Sequence, residues 1–291
     1  MGRKMIEVLQ ERNIQAEFIP FASARSAGQT ISIGGKDHTV LELNPENIKS
    51  SNPNYALFSA GGTTAKTFAP IFNQVGCVVI DNSSAFRQQE DIPLIVPEAN
   101  ILQLSSSDFS LISNPNCTTI ASVVALSPLH RTFGIKRIVY TTFQATSGAG
   151  ANPTFAHPID NNLIPNIDGE EEKMVFETRK ILGAPKIKVS ATCVRVPIKN
   201  CHSIAINVSF KKRITMESVI AALSAADGVK LCELPMPIVA DGNDAVHVGR
   251  LRLDTSHKNT LNMFISNDNI RKGAATNAVQ ILEYLLQNDV Q

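Results

Sequence analysis

Apolar positions in the first 112 residues fall into short runs that alternate between helical and strand spacing. Met5, Ile6, Val8 and Leu9 predict a helix over residues 2–12, and Phe18-Ile19 predicts a short strand after it. Thr30–Ile33 and His38–Leu41 flank Gly34-Gly35 as an expected hairpin. Tyr55-Ala56-Leu57-Phe58-Ser59-Ala60 runs into Gly61-Gly62, and Cys77-Val78-Val79-Ile80 ends at Asp81-Asn82-Ser83-Ser84. Both read as buried strands that deliver small or polar residues at their C-terminal ends, where open α/β sheets bind ligands. This alternation predicts a parallel α/β sheet. From Ile135 onward the runs are longer and alternate, as in Arg137–Phe143 and Ile204–Phe210, so a mixed sheet is expected there. The last segment, Gly273 to Leu286, predicts a helix with Ala275, Val279, Leu282 and Leu286 on one face.

One cysteine stands out against this pattern. Ser113-Asn114-Pro115-Asn116-Cys117-Thr118-Thr119-Ile120 sets a thiol just past a proline turn, where Ile120, Val123, Val124 and Leu126 recur at helical spacing up to Pro128. Asn114 and Asn116 are good capping residues. Orphan backbone N–H groups and the positive end of a helix dipole favour thiolate over thiol at such a position. A free cysteine also serves as a small buried hydrophobe, and the company it keeps decides between the readings. Gln144 closes the run 137–143 and opens Ala145-Thr146-Ser147-Gly148-Ala149-Gly150. Ala191-Thr192-Cys193-Val194-Arg195-Val196-Pro197 leads to His202-Ser203 at the mouth of an alternating strand. A nucleophilic thiol needs a base, and histidine is the usual one. Arg195 supplies a planar fork for a carboxylate. Standing alone, His202 reads as a surface histidine at a strand entrance and Arg195 as a solvated charge.

Composition leaves room for such a site. A chain of 291 residues with 43% hydrophobic content can bury two medium cores. The net charge is +1, with no basic run or stripe, so nothing points to nucleic acid or an anionic membrane surface, and a small-molecule partner is expected. No apolar stretch approaches the ~20 residues that span a bilayer, and the N-terminus lacks the apolar core of a signal peptide. Cys77, Cys117, Cys193, Cys201 and Cys232 are odd in number and lack paired metal-ligand spacing. A reducing cytoplasm fits this pattern, whereas disulfides, zinc or another metal do not.

Six motifs taken jointly resemble one family across nearly the whole chain, that of the aspartate-β-semialdehyde dehydrogenases. They are Leu57-Phe58-Ser59-Ala60-Gly61-Gly62, Ile80-Asp81-Asn82-Ser83-Ser84-Ala85-Phe86-Arg87, Asn114-Pro115-Asn116-Cys117, the Gln144 segment, the Arg195 to His202 block and Asp268-Asn269-Ile270-Arg271-Lys272-Gly273-Ala274-Ala275. The resemblance implies a Rossmann-like parallel-sheet, dinucleotide-binding domain over residues 1–116 with 270–291. An α+β mixed-sheet catalytic and dimerisation domain is implied over 117–269. The implied activity is reductive dephosphorylation of L-aspartyl 4-phosphate with NADPH, giving the semialdehyde and inorganic phosphate. It belongs to the biosynthesis of lysine, methionine, threonine and diaminopimelate, with a homodimer or homotetramer as the implied assembly.

By the same resemblance Cys117 attacks the acyl phosphate, His202 handles the proton, and the resulting thioester accepts hydride. Splitting the reaction at a covalent intermediate replaces one hard step by two easier ones. Arg195 is implied to hold the substrate α-carboxylate, Asn116 and Gln144 to contact the acyl group, Arg87 with Lys173 to bind phosphate, and Glu170 to contact the amine. The run Glu170-Glu171-Glu172-Lys173 also reads as a solvated helix start. Gly2, Gly61, Ser147, Gly148 and Asn269 fall on implied cofactor-binding positions. Ser23, Arg25 and Ser26 follow the strand at Phe18-Ile19, where a dinucleotide fold meets the adenosine ribose. The absence of an acid there, together with Arg25, favours NADP over NAD.

The chain departs from the family pattern at its start and after Gly150. The family opens with a strand and a Gly-x-x-Gly-x-x-Gly turn, of which Gly2 matches the last glycine, so the chain is expected to lack the first strand. An N-terminally truncated enzyme with unpaired strand edges, weak NADP binding and low turnover is the consequence expected. The stretches between Gly150 and Asn162 and before Glu170 are shorter than in the family, which bears on subunit contacts. Two alternatives stand beside the main reading: an enzyme resembling N-acetylglutamyl-phosphate reductase, and a truncated non-catalytic paralogue or fragment.

Overall fold

Two units of different architecture are built from these segments. The computed structural model describes residues 1–106, 109–150, 154–155 and 157–288. One unit comprises Met1–Pro93, Leu102–Asn114 and Ala278–Gln291; the other comprises Leu94–Ile101 and Pro115–Asn277. The chain thus pairs a parallel-sheet unit with a mixed-sheet unit, as its hydrophobic pattern predicts. Among the described residues no helix is long and apolar enough to cross a membrane.

In the first unit, helix α1 (Gly2–Glu11) buries Met5, Val8 and Leu9, and Arg12 just beyond it donates from Nε to Glu283 at 2.8 Å. The strand expected at Phe18-Ile19 forms instead as β1 (Phe21–Ala22), parallel to β4 (Leu41–Glu42). Pro20 offers no N–H to a ladder, and the pairing starts where its carbonyl accepts from Leu41 N–H at 2.8 Å. Between them β2 (Thr30–Ile33) and β3 (Lys36–Thr39) make the expected hairpin. Gly34 and Gly35 take φ of 60° and 75°, the two positive values that a type I′ turn requires. Asn44 caps α2 (Pro45–Ser51), its side chain accepting from Asn47 N–H at 2.8 Å.

The parallel sheet runs β5 (Tyr55–Phe58), β6 (Val78–Asp81) and β7 (Leu111–Ser113), with α3 (Gly62–Gln74) crossing from β5 to β6. Its core gathers Ile48, Phe58, Ala65, Ala69, Phe72, Cys77 and Val79, and Phe72 takes the edges of Phe21 and Phe58 in T-shaped pairs. β5 differs from the buried strand expected, for Tyr55, Ala56 and Leu57 are only half-buried. Among the described residues no strand pairs with its outer edge. A groove of about 730 Å³ lies there, lined by residues 18–22 and 55–60 together with Met5 and Leu282.

The second unit is organised around a six-stranded sheet. Its strands are β8 (Ile135–Gln144), β9 (Lys188–Arg195), β10 (His202–Phe210), β11 (Val229–Leu231), β12 (Val246–Leu253) and β13 (Thr260–Asn267), in the order β11-β12-β13-β10-β8-β9. Pairings are antiparallel except β8 with β9 and β11 with β12. Alternate residues Ile204, Ile206 and Val208 of β10 join the core, while Ser203, Asn207 and Ser209 bond across to Ser266, Asn262 and Thr260 on the other face.

Short helix α4 (Pro97–Asn100) and the long α5 (Cys117–Phe133) belong to this unit, and every residue of α5 from Thr118 to Leu129 is buried. The helix expected to stop at Pro128 continues through it to Phe133. A proline inside a helix costs about 3 kcal/mol, and burial on all sides of α5 outweighs that. Helices α6 (Glu170–Ile181) and α7 (Met216–Ser224) complete the packing. The helix expected from Gly273 starts instead at Thr276, preceded by a π-helical turn over Arg271–Ala275. Asp268 causes the wide turn, its carboxylate accepting from Ile270 and Arg271 N–H at 2.9 and 3.0 Å and its carbonyl from Gly273 N–H at 3.0 Å.

Candidate active site

Cys117 is the first residue of α5, and its position is set by the cap before it. Asn116 has extended backbone, and its Oδ1 accepts from the N–H groups of Thr118 and Thr119 at 3.0 and 3.4 Å. This cap aligns the first turn and brings the positive helix end to the thiol. Asn116 also donates from Nδ2 to the Glu170 carboxylate at 2.9 Å and from its main chain to Glu177 Oε2 at 2.7 Å. Two carboxylates of α6 therefore hold the capping residue that immediately precedes the thiol.

Glu170 gathers further donors. Lys173 Nζ lies 2.8 Å from it and Gln144 Nε2 3.4 Å. Of the three successive glutamates it is the one turned into this cluster, 8% exposed, whereas Glu171 accepts from Cys193 N–H and Glu172 faces solvent.

His202 begins β10 fully buried, which replaces the reading of a surface histidine. Its Nδ1 accepts from Ala145 N–H at 3.0 Å, so the neutral ring carries its proton on Nε2. Burial, and next the charge of Arg195, push its pKa down to about 3, and the ring is neutral throughout the physiological range. Arg195, at the end of β9 and 6% exposed, donates from Nη1 to Ala145 O at 2.7 Å. The backbone of Ala145 thus orients both side chains. Burial lowers the pKa of Arg195, opposed by negative charge from Cys117, Glu170 and Cys193.

Gly148 closes over the pair. A Cβ at that position would stand 2.8 Å from His202 Cε1, 2.9 Å from Nε2 and 3.1 Å from Arg195 Nη1. Next to it Ser147 Oγ meets Asn269 Nδ2 at 3.1 Å, and Asn269 Oδ1 accepts from Cys201 N–H at 3.0 Å.

Two family models cover most of the chain. One described as semialdehyde dehydrogenase, NAD binding domain, matches residues 1–107, and one described as semialdehyde dehydrogenase, dimerisation domain, matches residues 126–272. Aspartate-semialdehyde dehydrogenase of Aquifex aeolicus is 45% identical over 326 aligned positions, covering 99% of this chain and 95% of the relative. The chain belongs to the aspartate-semialdehyde dehydrogenase family. Among solved structures, aspartate semialdehyde dehydrogenase II of Vibrio cholerae complexed with ASA superposes with a TM-score of 0.93 at 41% identity, over 98% of this chain and 95% of that one. The Candida albicans enzyme with NADP gives 0.84 at 26% identity, over 100% and 96%. The 326 aligned positions with the Aquifex relative exceed the 291 residues of this chain, so stretches within the alignment are absent here. Residues 151–153 and 156, in the short segment read after Gly150, lie outside the described residues.

Cys117, Asn116, Gln144, Glu170, Lys173, Arg195, His202, Ser147, Gly148 and Asn269 all lie in the mixed-sheet unit of this family member. Gly2, Ser23, Arg25, Ser26, Gly61 and Arg87 lie in the parallel-sheet unit. There Arg87 is buried and donates from Nη2 to Asn82 O at 3.0 Å, Gly2 opens α1, and Gly61 caps α3. A Cβ at Gly2 would stand 3.0 Å from Ser59 Oγ.

Sequence reasoning missed Glu177 and the close approach of Gly148 to the histidine and arginine. The first is one carboxylate among several on a polar helix, and the second depends on a loop turning back over two strand ends. It also missed the convergence of Cys201, Asp241 and Asp268, whose ligand-type atoms lie within 4.8 Å. That group is committed internally. Asp268 accepts from three backbone N–H groups, those of Gly242, Ile270 and Arg271, and burial pushes the Cys201 thiol up to about 12.

Proposed function

We propose that this chain reduces L-aspartyl 4-phosphate to L-aspartate 4-semialdehyde and inorganic phosphate through a thioester on Cys117, with NADP as its nicotinamide cofactor. The observation that carries the reading is the hydrogen-bonded cluster at the start of α5. The thiol stands on a helix end capped by Asn116, which with Gln144 bonds Glu170, and its charge acts on the buried Arg195, which shares Ala145 with the buried neutral His202. The Vibrio cholerae relative, whose structure is a complex with ASA, supports the substrate class.

The helix end and the charge of Arg195 favour the Cys117 thiolate. Its Sγ bonds to the acyl carbon while the carbon–oxygen bond to phosphorus breaks, and phosphate departs with that electron pair. Arg195 holds the α-carboxylate by its fork. Glu170 contacts the substrate amine, Gln144 and Asn116 fix the acyl group, and Lys173 binds phosphate. His202 offers Nε2–H to the reacting group, and to take up a proton its Nδ1 must release the Ala145 N–H. A reduced nicotinamide, when bound, would supply the hydride needed to take the thioester to the aldehyde, with Cys117 leaving as thiolate.

The parallel-sheet unit has the residues to hold a phosphorylated dinucleotide. Residues 22–28 contain no carboxylate, Arg25 is exposed, and Ser23 and Ser26 add hydroxyls, which suits a 2′-phosphate. Gly2 lets a pyrophosphate approach the start of α1, and Gly61 leaves the start of α3 open in the same unit. This assigns dinucleotide binding to the parallel-sheet unit, and catalysis with homodimer formation to the mixed-sheet unit. The dimerisation-domain match over 126–272 supports that assembly, from which a homotetramer would be built as a pair of dimers. None of the five cysteines is joined in a disulfide, which suits a reducing cytoplasm.

Phosphate-dependent reduction of NADP by aspartate semialdehyde tests the whole reading, on this chain and on Cys117→Ala. Wild-type turnover should vanish in the variant while its circular dichroism stays unchanged. Turnover by Cys117→Ala would refute the thioester, and a preference for N-acetylglutamate semialdehyde would redirect the substrate.

A further inference from the structure

Asn267 ends β13 with 0% exposure, and neither its Oδ1 nor its Nδ2 has a hydrogen-bond partner. Buried carboxamides in native proteins are nearly always satisfied, and an exception calls for an account. Its surroundings supply one. In the antiparallel pairing of β13 with β10, Asn267 stands directly opposite His202, so the two side chains share one face of the sheet. His202 Nε2 is likewise buried and without a partner. On its other flank the amide approaches the nucleophile. Asn267 Nδ2 and Cys117 Cβ lie 3.2 and 3.1 Å from the same point, the Cβ that a side chain at Gly273 would carry. Gly273 sits in the π-helical turn, a distortion frequent at functional sites, and its lack of a side chain leaves that space open between amide and thiol.

We propose that Asn267 is a further catalytic residue, donating Nδ2–H to the carbonyl oxygen of the acyl group as Cys117 attacks it. When the Sγ–C bond forms, the carbonyl π pair moves onto oxygen. When it returns, the leaving group departs with the electron pair of its own bond. The amide exchanges no atoms in either step and only meets the negative charge. A donor already fixed in a water-poor site needs no reorganisation at that moment, which is how oxyanion stabilisation works. The proposal rests on Cys117 being the acylated nucleophile, as in the function proposed above.

The test uses the full chain with Asn267→Leu, close in volume but unable to hydrogen-bond, and Asn267→Ala, equally without a donor and free of steric demand should leucine not fit. The first readout is acylation of Cys117 by p-nitrophenyl acetate, followed as the burst of p-nitrophenolate with Cys117→Ala as blank. It needs neither nicotinamide nor an aspartyl group. The second is phosphate-dependent NADP reduction by aspartate semialdehyde. Both folded variants should lose about 10²-fold or more in burst rate and in kcat, with little change in KM and a melting temperature no lower than wild type. A structural role predicts the reverse, a lower melting temperature with the burst retained, and a wild-type burst rate in either variant overturns the proposal. If the wild type shows the burst but no reaction with aspartate semialdehyde, the substrate reading fails while the burst comparison still decides Asn267. A wild type without a Cys117-dependent burst overturns both.

Discussion

Gly148→Ala is the smallest change that tests whether the loop after Gln144 sets the chemistry. A methyl there would lie 2.8 Å from His202 Cε1, 2.9 Å from Nε2 and 3.1 Å from Arg195 Nη1. Carbon atoms in contact prefer about 3.5–4.0 Å, so neighbours must move by several tenths of an ångström or more. Neither can give cheaply. His202 is fully buried with Nδ1 held by Ala145 N–H, and Arg195 is held by the carbonyl of that same residue at 2.7 Å. Overpacking of this kind costs about 1–3 kcal/mol, a fall in melting temperature of roughly 2–4 °C per kcal/mol for a chain of this size. The activity should fall further than the stability. Displacing catalytic groups by about 1 Å costs on the order of 10²-fold, and here two groups move together. Steady-state kinetics of phosphate-dependent NADP reduction, with a thermal melt on the same preparation, separates the two effects. A Gly148→Ala protein with wild-type kcat/KM would refute the reasoning, because it would mean that the loop does not bear on His202 and Arg195.

Two further outcomes follow from the same geometry. Arg195→Lys should cost roughly 1.5–3 kcal/mol in kcat/KM, since an ammonium lacks the planar fork that pairs with a carboxylate, and equal kinetics would remove Arg195 from substrate binding. His202 titrates near 6.5 when unfolded but near 3 in the buried site, so the unfolded chain binds the extra proton between those values. Its contribution to stability is therefore present above about pH 6.5 and is lost as pH falls toward 3, by up to about 1.4 kcal/mol per pH unit. His202→Asn keeps an acceptor for Ala145 N–H and removes the titration, so its stability–pH slope in that window should be shallower by one proton. Identical slopes from denaturant melts would exclude a depressed histidine.

What the sequence determined by itself was local. Helical spacing after Asn116 located the thiol at a helix start, because a cap and the periodicity behind it are written in adjacent residues. Gly34-Gly35 specified the hairpin for the same reason, since glycine takes the required φ without strain. The alternation in His202–Phe210 marked a strand of a mixed sheet. Each departure had a non-local cause. α5 continues through Pro128 because its burial on all sides outweighs a missing N–H, and burial is contributed by partners distant in sequence. The C-terminal helix starts late because Asp268 draws the preceding backbone into a wider turn. The strand expected at Phe18-Ile19 shifts to Phe21 because a strand exists only where its neighbour offers a ladder, here Leu41–Glu42.

The site divides in the same way. Its residue types were readable from motifs, but their electrostatic states were not. Only the tertiary structure removes His202 from water beside Arg195, and this makes it a neutral group with its proton on Nε2. Only that structure turns Glu170 rather than Glu171 or Glu172 toward Asn116, or sets the unpaired amide of Asn267 across the sheet from His202 and beside the thiol. Spacing along a chain fixes which face of an element a side chain occupies, whereas desolvation and close approach depend on what the fold packs against that face.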